Sequence, residues 1–388
     1  MTRSNRMLIF ILTVGVFGIL NTEMGVIGLL PAVADRYGIS VSQAGWLVSG
    51  FALAVAASGP ILPLLCSGLN RKTAMLLVLG AFALGNVVSL FATDFSMALA
   101  ARVLPAFLHP VYCSLAFTVA AGSVRQEDAP KAVSKVFIGV SAGMVVGVPI
   151  ASFLASAASL QVAMAFFAAV NIAVFLATLL FVPSMPVKER MSYGAQIAVL
   201  KKSAVWLSIA AVLFINAAIF GVYSYLAEYL GTVTQLSANA VSILLFVFGG
   251  ANMIGNVVAG RLLSHRANRS MIVFPFMLAA VYLLLFFTGQ FSLPTAILTL
   301  VWGILAGFGS NMNQYVMASA APDAPDFANG LFLTSANLGV TFGASAGGLL
   351  IAEWGTSYVV LAGVLSLVLG YIAVLLRNRV LSTAPLHL

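Results

Sequence analysis

The sequence predicts an all-α membrane protein: twelve transmembrane helices in two six-helix bundles. Three observations carry that expectation. Twelve apolar stretches, each long enough to cross a bilayer, take up nearly all of the 388 residues. Hydrophobic residues make up 62% of the chain and charged ones 7%, with a mean hydropathy of +1.09, which leaves no surface for water to wet. The basic residues gather in the short turns between stretches. A helix needs about 20 apolar residues to span hydrocarbon, and only helices and closed barrels satisfy every backbone group there. The runs are continuous rather than alternating, which selects helices.

The spans are expected at 7–30, 43–66, 74–92, 97–121, 132–155, 161–182, 204–230, 240–263, 271–290, 295–319, 328–352 and 357–377. Span 1 starts after Arg3 and Arg6, as a signal peptide would, but eleven more spans follow, so it is read as retained. Span 2 ends at the basic turn of Arg71 and Lys72. Span 4 carries Arg102 and His109 within its apolar run. Span 5 opens after Asp128-Ala129-Pro130, and span 11 after Asp323-Ala324-Pro325. Spans 3, 6, 9 and 12 are nearly uniform apolar rods, "MIVFPFMLAAVYLLLFF" of span 9 being typical, and suit lipid-facing positions.

The longest connection, 183–203, is "PSMPVKERMSYGAQIAVLKKS". Its prolines and charges divide the chain into an N-terminal six-helix bundle (1–182), a cytoplasmic linker (183–203) and a C-terminal six-helix bundle (204–388). The halves read as a duplication. Gly139, Gly143 and Gly147 in span 5 match Gly339, Gly343 and Gly347 in span 11 at an offset of 200, and Gly59 in span 2 matches Gly255 in span 8 at 196. Parallel six-helix repeats point to a rocking transporter with its site between the halves.

The net charge of +8 would raise nucleic acid as a partner for a soluble protein. Here the charges sit in turns, and nucleic acid is excluded. Of the 18 Lys and Arg, all but Arg36 and Arg102 fall on one side if the N-terminus is cytoplasmic. This positive-inside pattern places both termini in the cytoplasm. Cys66 and Cys113 both lie in spans, so no disulfide framework is expected. The chain has no Walker loop, no metal-ligand spacing and no paired nucleophile and base. ATP, metal, other cofactors and enzymatic chemistry are therefore not expected.

The layout resembles the major facilitator superfamily over essentially the whole chain. Within it, the motifs are most similar to the drug:proton antiporter branch and its arabinose-efflux-permease-like proteins. "GVSAGMVVGVPIA" in span 5 looks like the antiporter motif, with Gly143, Gly147 and Pro149. "NTEMGVIGLLPAVADRYGIS" of span 1 and "NLGVTFGASAGGLL" of span 11 look like the same branch. "ARVLPAFLHPVY" of span 4 resembles motif B, with Arg102 in the arginine position. The chain departs from the pattern twice. The turn "CSGLNRKTAM" lacks the acidic residue usual in motif A, and Pro105 and Ala106 stand where Gln and Gly are commoner, which keeps the arginine but changes its surroundings. The resemblance implies the major facilitator fold, a bacterial inner membrane, and a monomer exporting a small molecule against protons.

Spans 1, 4, 7 and 10 hold most of the intramembrane polarity, which normally faces the bundle interior or water. Glu23 and Arg102 are expected at similar depths. Burial disfavours an ionised carboxylate and a neighbouring guanidinium favours it, so moving one helix could switch the pair. The pair either couples a proton to transport or simply pins spans 1 and 4 as a static ion pair. His109 can titrate near neutrality or serve as a hydrogen-bonded packing group. Asp35 and Arg36 are expected in a solvated outer loop, and Glu228 at the outer interface.

The substrate surface is sketched from helical spacing. Asn216, Phe220 and Tyr223 share a face of span 7. Asn311, Gln314 and Tyr315 share one on span 10, and Asn21 lies on span 1. Aromatics mixed with uncharged amides suit uncharged or amphipathic solutes; equally, the amides bridge helices and the aromatics are ordinary packing. Small residues at every fourth position let helices approach closely, and Pro149 can bend span 5. Gly139, Gly143, Gly147 and Pro149 are expected to meet Gly339, Gly343 and Gly347 at a conformational seam between the halves. The reading is a proton-coupled exporter of drugs, sugars or metabolites. The alternatives are an uptake symporter or facilitator, and a non-transporting sensor on a transporter fold.

Overall fold

The computed structural model describes residues 3–39, 41–44, 46–187 and 193–383. Of the expected linker, 188–192 lie outside the described residues. No strand occurs among the described residues. Ten helices are long and apolar enough to cross a membrane. One of them, Ala238–Thr288, covers spans 8 and 9 together. Span 2 is present as the shorter helix Trp46–Ser58, continued by Leu62–Cys66 after a break at Gly59-Pro60. Counted in this way, the twelve spans are accounted for.

The remaining spans form where the apolar runs lie. Span 1 is Arg3–Gly25, span 3 Arg71–Phe91 and span 6 Leu160–Phe181. Span 4 is Phe95–Ala106 followed by His109–Gly122. Span 5 is Ala129–Ala142, a π-helical turn Gly143–Gly147, then Val148–Ala157. Span 7 is Ser203–Asn216, a second π turn Ala217–Gly221, then Leu226–Thr232. Spans 10, 11 and 12 are Ser292–Ala320, Pro325–Trp354 and Val359–Thr383. Their starts follow capping chemistry. Asp94 accepts from the Met97 N–H at 2.9 Å, and Asn70 accepts from the Lys72 N–H at 3.0 Å.

One expectation about the ends changes. The helix continuing span 1 runs on through Leu30–Tyr37 and closes at Gly38, whose φ of 62° is the left-handed cap that favours glycine. Asp35 and Arg36 therefore sit in a last helical turn rather than a loop, where a basic side chain complements the helix dipole. Spans 8 and 9 are separated by non-helical Arg266 (φ −143°, ψ 40°), within the expected connection 264–270.

The chain divides into two compact units, Met1–Tyr193 and Gly194–Leu388. Inside the first, span 1 packs on span 5, span 2 on span 4, and span 3 on span 6. Inside the second, span 7 packs on span 11, span 10 on the helix of spans 8 and 9, and span 12 on that helix as well. The first-unit pairs recur at six spans' distance. Phe276 of span 9 meets Tyr371 of span 12 edge-on, with ring centroids 4.8 Å apart. Large apolar side chains of spans 3, 6, 9 and 12, such as Leu84, Leu180, Phe287 and Leu365, are exposed, as lipid-facing residues would be. Their inner faces are not uniformly apolar. Asn171 of span 6 is buried and donates to Thr22 Oγ1 at 2.9 Å, to the Phe167 carbonyl at 3.0 Å and to the Gly18 carbonyl at 3.2 Å. Asn86 of span 3 donates to the same Thr22 oxygen at 3.1 Å.

Candidate functional site

In the first unit, the polar centre is assembled by breaks in the helices that carry it. Pro105 has no N–H to give the ladder of span 4, and Pro110 removes another one turn later. The backbone answers with tighter bonds, Leu108 N–H to the Pro105 carbonyl at 2.9 Å and Val111 N–H to Leu108 at 3.1 Å. His109 becomes the first residue of the second helical segment. The departure from motif B thus reshapes the surroundings of the arginine, as expected.

His109 Nε2 lies 3.2 Å from the Glu23 carboxylate. The contact is an ion-pair distance without hydrogen-bond alignment, since Glu23 Oε2 and His109 Nδ1 both lack a hydrogen-bond partner. Cys113 Sγ approaches the same Nε2 at 3.7 Å. Arg102 is buried too, but the expected carboxylate–guanidinium pair does not form. Arg102 Nη2 donates to the backbone carbonyl of Glu23 at 2.7 Å, and its Nε donates to the Leu47 carbonyl at 2.8 Å. The depth match holds; the atoms that meet differ. The Glu23 carbonyl lies in the last turn of Arg3–Gly25, where carbonyls lack an α-helical donor, and the Leu47 carbonyl of span 2 is the second acceptor for the guanidinium.

Phe51 of span 2 completes the centre and was invisible to the sequence reading. Its ring stands edge-on to His109 with centroids 5.9 Å apart, and the Arg102 guanidinium lies 5.3 Å from its centroid. Asn21 is fully buried with neither amide atom bonded. It lies against Gly147 of the span 5 π turn.

Within each unit, the glycine rows are packed closely against helices of the same bundle. A side chain at Gly139 would strike the Thr13 backbone, one at Gly143 would meet Leu20 and Asn21, and one at Gly147 would meet Asn21. All three partners belong to span 1. Gly339 and Gly343 are filled by Leu213, Asn216 and Ala217 of span 7, and Gly347 by Tyr225 and Val359. Each row is filled by its own bundle. Pro149 lies near the start of the segment after the π turn, where a missing N–H costs least.

In the second unit the sketched surface splits. Asn216 is buried against Gly339 of span 11, while Tyr223 stacks on Phe248 of span 8 at 4.6 Å and 24° with Phe220 edge-on at 6.4 Å. The π turn between them changes the rotation per residue, so an α-helical face does not survive. Asn311 donates to Asn256 Oδ1 at 2.8 Å, and Gln314 donates to Asn329 Oδ1 at 2.8 Å. Both are bridges between helices. Tyr315 is half-buried. Asn313 is fully buried with neither amide atom bonded, as Asn21 is in the first unit. Glu228 is exposed at its helix end and accepts from Thr356 at 3.2 Å. Arg377, the last residue of the expected span 12, is buried and donates to Ser208 Oγ at 2.9 Å, the Val316 carbonyl at 3.0 Å and Ser319 Oγ at 2.5 Å. Its signal was Ser208 and Ser319 on neighbouring spans at the same level.

The Major Facilitator Superfamily model matches residues 12–326 and again 205–386. The uncharacterised MFS-type transporter YtbD of Bacillus subtilis (strain 168) is 32% identical over 354 residues, 90% of this chain and 89% of that one. The inner membrane transport protein YdhP of Escherichia coli (strain K12) is 29% identical over 371 residues, 95% of each chain. A probable sugar efflux transporter of Pasteurella multocida (strain Pm70) is 26% identical over 356 residues, 92% of this chain and 88% of that one. The crystal structure of the human organic anion transporter MFSD10 (TETRAN) superposes with a TM-score of 0.80 at 16% identity, covering 97% of this chain and 100% of that one.

Proposed function

The chain belongs to the Major Facilitator Superfamily and is a multi-pass membrane transporter of small solutes; from that premise we propose that it is a proton-coupled exporter of small organic molecules. The carrying observation is the partly buried Glu23 carboxylate 3.2 Å from the buried His109 imidazole, with Arg102 fixed on the carbonyl of Glu23 itself. Counting charge decides how this group behaves. Ionised Glu23, neutral His109 and cationic Arg102 sum to zero. One added proton, on either His109 or Glu23, leaves one uncompensated positive charge among mostly buried groups. Buried net charge is costly, and relief comes from opening the site to water or releasing the proton. A proton taken from outside therefore favours inward opening. Its release inward, with a substrate bound, favours the return outward.

The substrate reading rests on group chemistry. Asn21 offers an unpaired amide, and Phe220, Tyr223 and Tyr315 offer half-buried aromatic surface. These suit neutral or amphipathic solutes, and the name of the Pasteurella relative points to sugars. Export as the direction, drugs as further substrates, a bacterial inner membrane and a working monomer follow from the span 5 resemblance. Asn311, Gln314 and Asn216 serve as scaffolding in this reading, and the glycine rows hold each bundle together as it rocks.

Proteoliposome flux tests the proposal. A pH gradient should drive accumulation of a sugar or drug substrate, and Glu23→Gln should keep substrate exchange but lose accumulation. Accumulation by Glu23→Gln against a normal gradient would sink the coupling assignment. Co-movement of proton and substrate in one direction would make the protein a symporter. Absence of any flux across the substrate panel would leave the sensor reading.

A further inference from the structure

At the basic end of the second unit, a groove of about 260 Å³ opens between spans 8, 9 and 10. The stacked rings of Phe274 and Phe308, 5.7 Å apart and both buried, form its floor. Val258 and Leu262 of span 8 and Val273 and Met277 of span 9 form its rims, between 36% and 50% exposed. At its mouth stand Arg266, Arg269 and Ser270. The kink at Arg266 breaks the helix there, so two arginines flank one opening. Both are exposed, and neither has a hydrogen bond or ion pair with any described residue. No acidic residue lines the groove.

We propose that this groove binds one anionic phospholipid, its phosphate between Arg266 and Arg269 and one acyl chain along the Phe274–Phe308 floor. Charge complementarity and the exposed apolar rims select that occupant. Two unpaired guanidiniums suit a phosphate bidentately. A free anion would leave the rims idle, whereas an acyl chain covers them. Basic pockets between transmembrane helices on the cytoplasmic side are suited to anionic headgroups. The groove shares no residue with the Glu23 centre, and its binding does not depend on the transported substrate.

Native mass spectrometry of the purified full-length protein tests this with phosphatidylglycerol, phosphatidylcholine of equal chain length, and inorganic phosphate. Wild type should retain one phosphatidylglycerol in preference to phosphatidylcholine, undisplaced by phosphate. The double variant Arg266→Ala, Arg269→Ala should bind it about 30-fold more weakly, and Arg269→Ala alone about fivefold, at the worth of one arginine each. Val273→Trp, which fills the groove and leaves both arginines, should lose the lipid as well. Arg261→Ala, outside the groove, should change nothing. Equal retention by the double variant and wild type overturns the proposal. So does an equal loss in Arg261→Ala, equal binding of phosphatidylcholine, or displacement by phosphate. Unfolding temperatures identify variants that fold, and Val273→Trp carries the test if the arginine variants do not.

Discussion

A single residue, His109, changes the chemistry of the centre. Sequence spacing was enough to put Glu23 and Arg102 at one depth, because the rise per residue is fixed. It was not enough to say which atoms touch, because that depends on which groups of spans 1 and 2 face the guanidinium in the folded bundle, and these are the Glu23 and Leu47 carbonyls. The structure gives the carboxylate to His109 and the backbone to Arg102. Two predictions follow from this division of labour. His109→Gln should move the pH profile of transport more than Arg102→Lys does, and the movement should be absent in a Glu23→Gln background, since only interacting residues are non-additive. Equal movement in both backgrounds would place the coupling elsewhere. Arg102→Lys keeps the charge but loses the fork that reaches both carbonyls. It should lower stability by about 2 kcal/mol, the worth of one hydrogen bond made by a charged group, read as a lower unfolding temperature with proton coupling retained.

At the scale of the element, the glycine rows show what a periodic pattern does and does not say. The G-x3-G-x3-G spacing marks a face that must be approached closely. It does not name the neighbour. Spans 1 and 7 fill these faces from within their own bundles. The π turns were also illegible, since nothing in "GMVVG" or "AAIFG" excludes an ordinary α-helix. A side chain at Gly143 would sit 2.6 Å from Leu20 Cβ and 3.1 Å from the Asn21 nitrogen. Gly143→Ala should therefore destabilise the first bundle by about 1–3 kcal/mol, the usual cost of overpacking, and Gly143→Leu should fail to accumulate. Gly250, with nothing within 4 Å of its built Cβ, is the control. Gly250→Ala should be neutral or slightly stabilising, as a helix interior prefers alanine to glycine. Wild-type stability of Gly143→Leu with arrested transport would show instead that the glycine acts at a moving seam. The apolar rods carry a second lesson. A lone asparagine in twenty apolar residues gives no sequence sign of its partner, yet Asn171 ties span 6 to span 1 through two bonds. Asn171→Leu should cost about 0.6–1.7 kcal/mol, the measured range for polar contacts between membrane helices, seen as reduced resistance to unfolding in detergent.

For the whole molecule, the duplication was legible because glycine and proline punctuate helices and recur at nearly one offset. The paired packing of spans 1 with 5 and 7 with 11 gives that repeat its physical form. Continuous apolar runs were equally legible, because hydrocarbon leaves a helix as the main way to satisfy the backbone. Helix ends and kinks were not, as the π turns and the helix that continues span 1 to Tyr37 show. Orientation is a separate physical question, governed by charge. Sixteen of the 18 basic residues lie on the side of the N-terminus, Arg36 and Arg102 being the exceptions, and translocating a basic turn is what the membrane resists. The turn between spans 4 and 5, with Arg125, Lys131 and Lys135, should therefore face the cytoplasm, and the uncharged turn between spans 9 and 10 should face outward. Glu127 and Gln290 are exposed in these two turns and serve as reporters. In a background with Cys66 and Cys113 replaced by alanine, an impermeant thiol reagent applied to intact cells should label Gln290→Cys. Glu127→Cys should react only after the membrane is opened. The reverse pattern would invert the molecule in the bilayer. It would also turn the proposed proton path around, since the side from which Glu23 and His109 are protonated is set by this orientation alone.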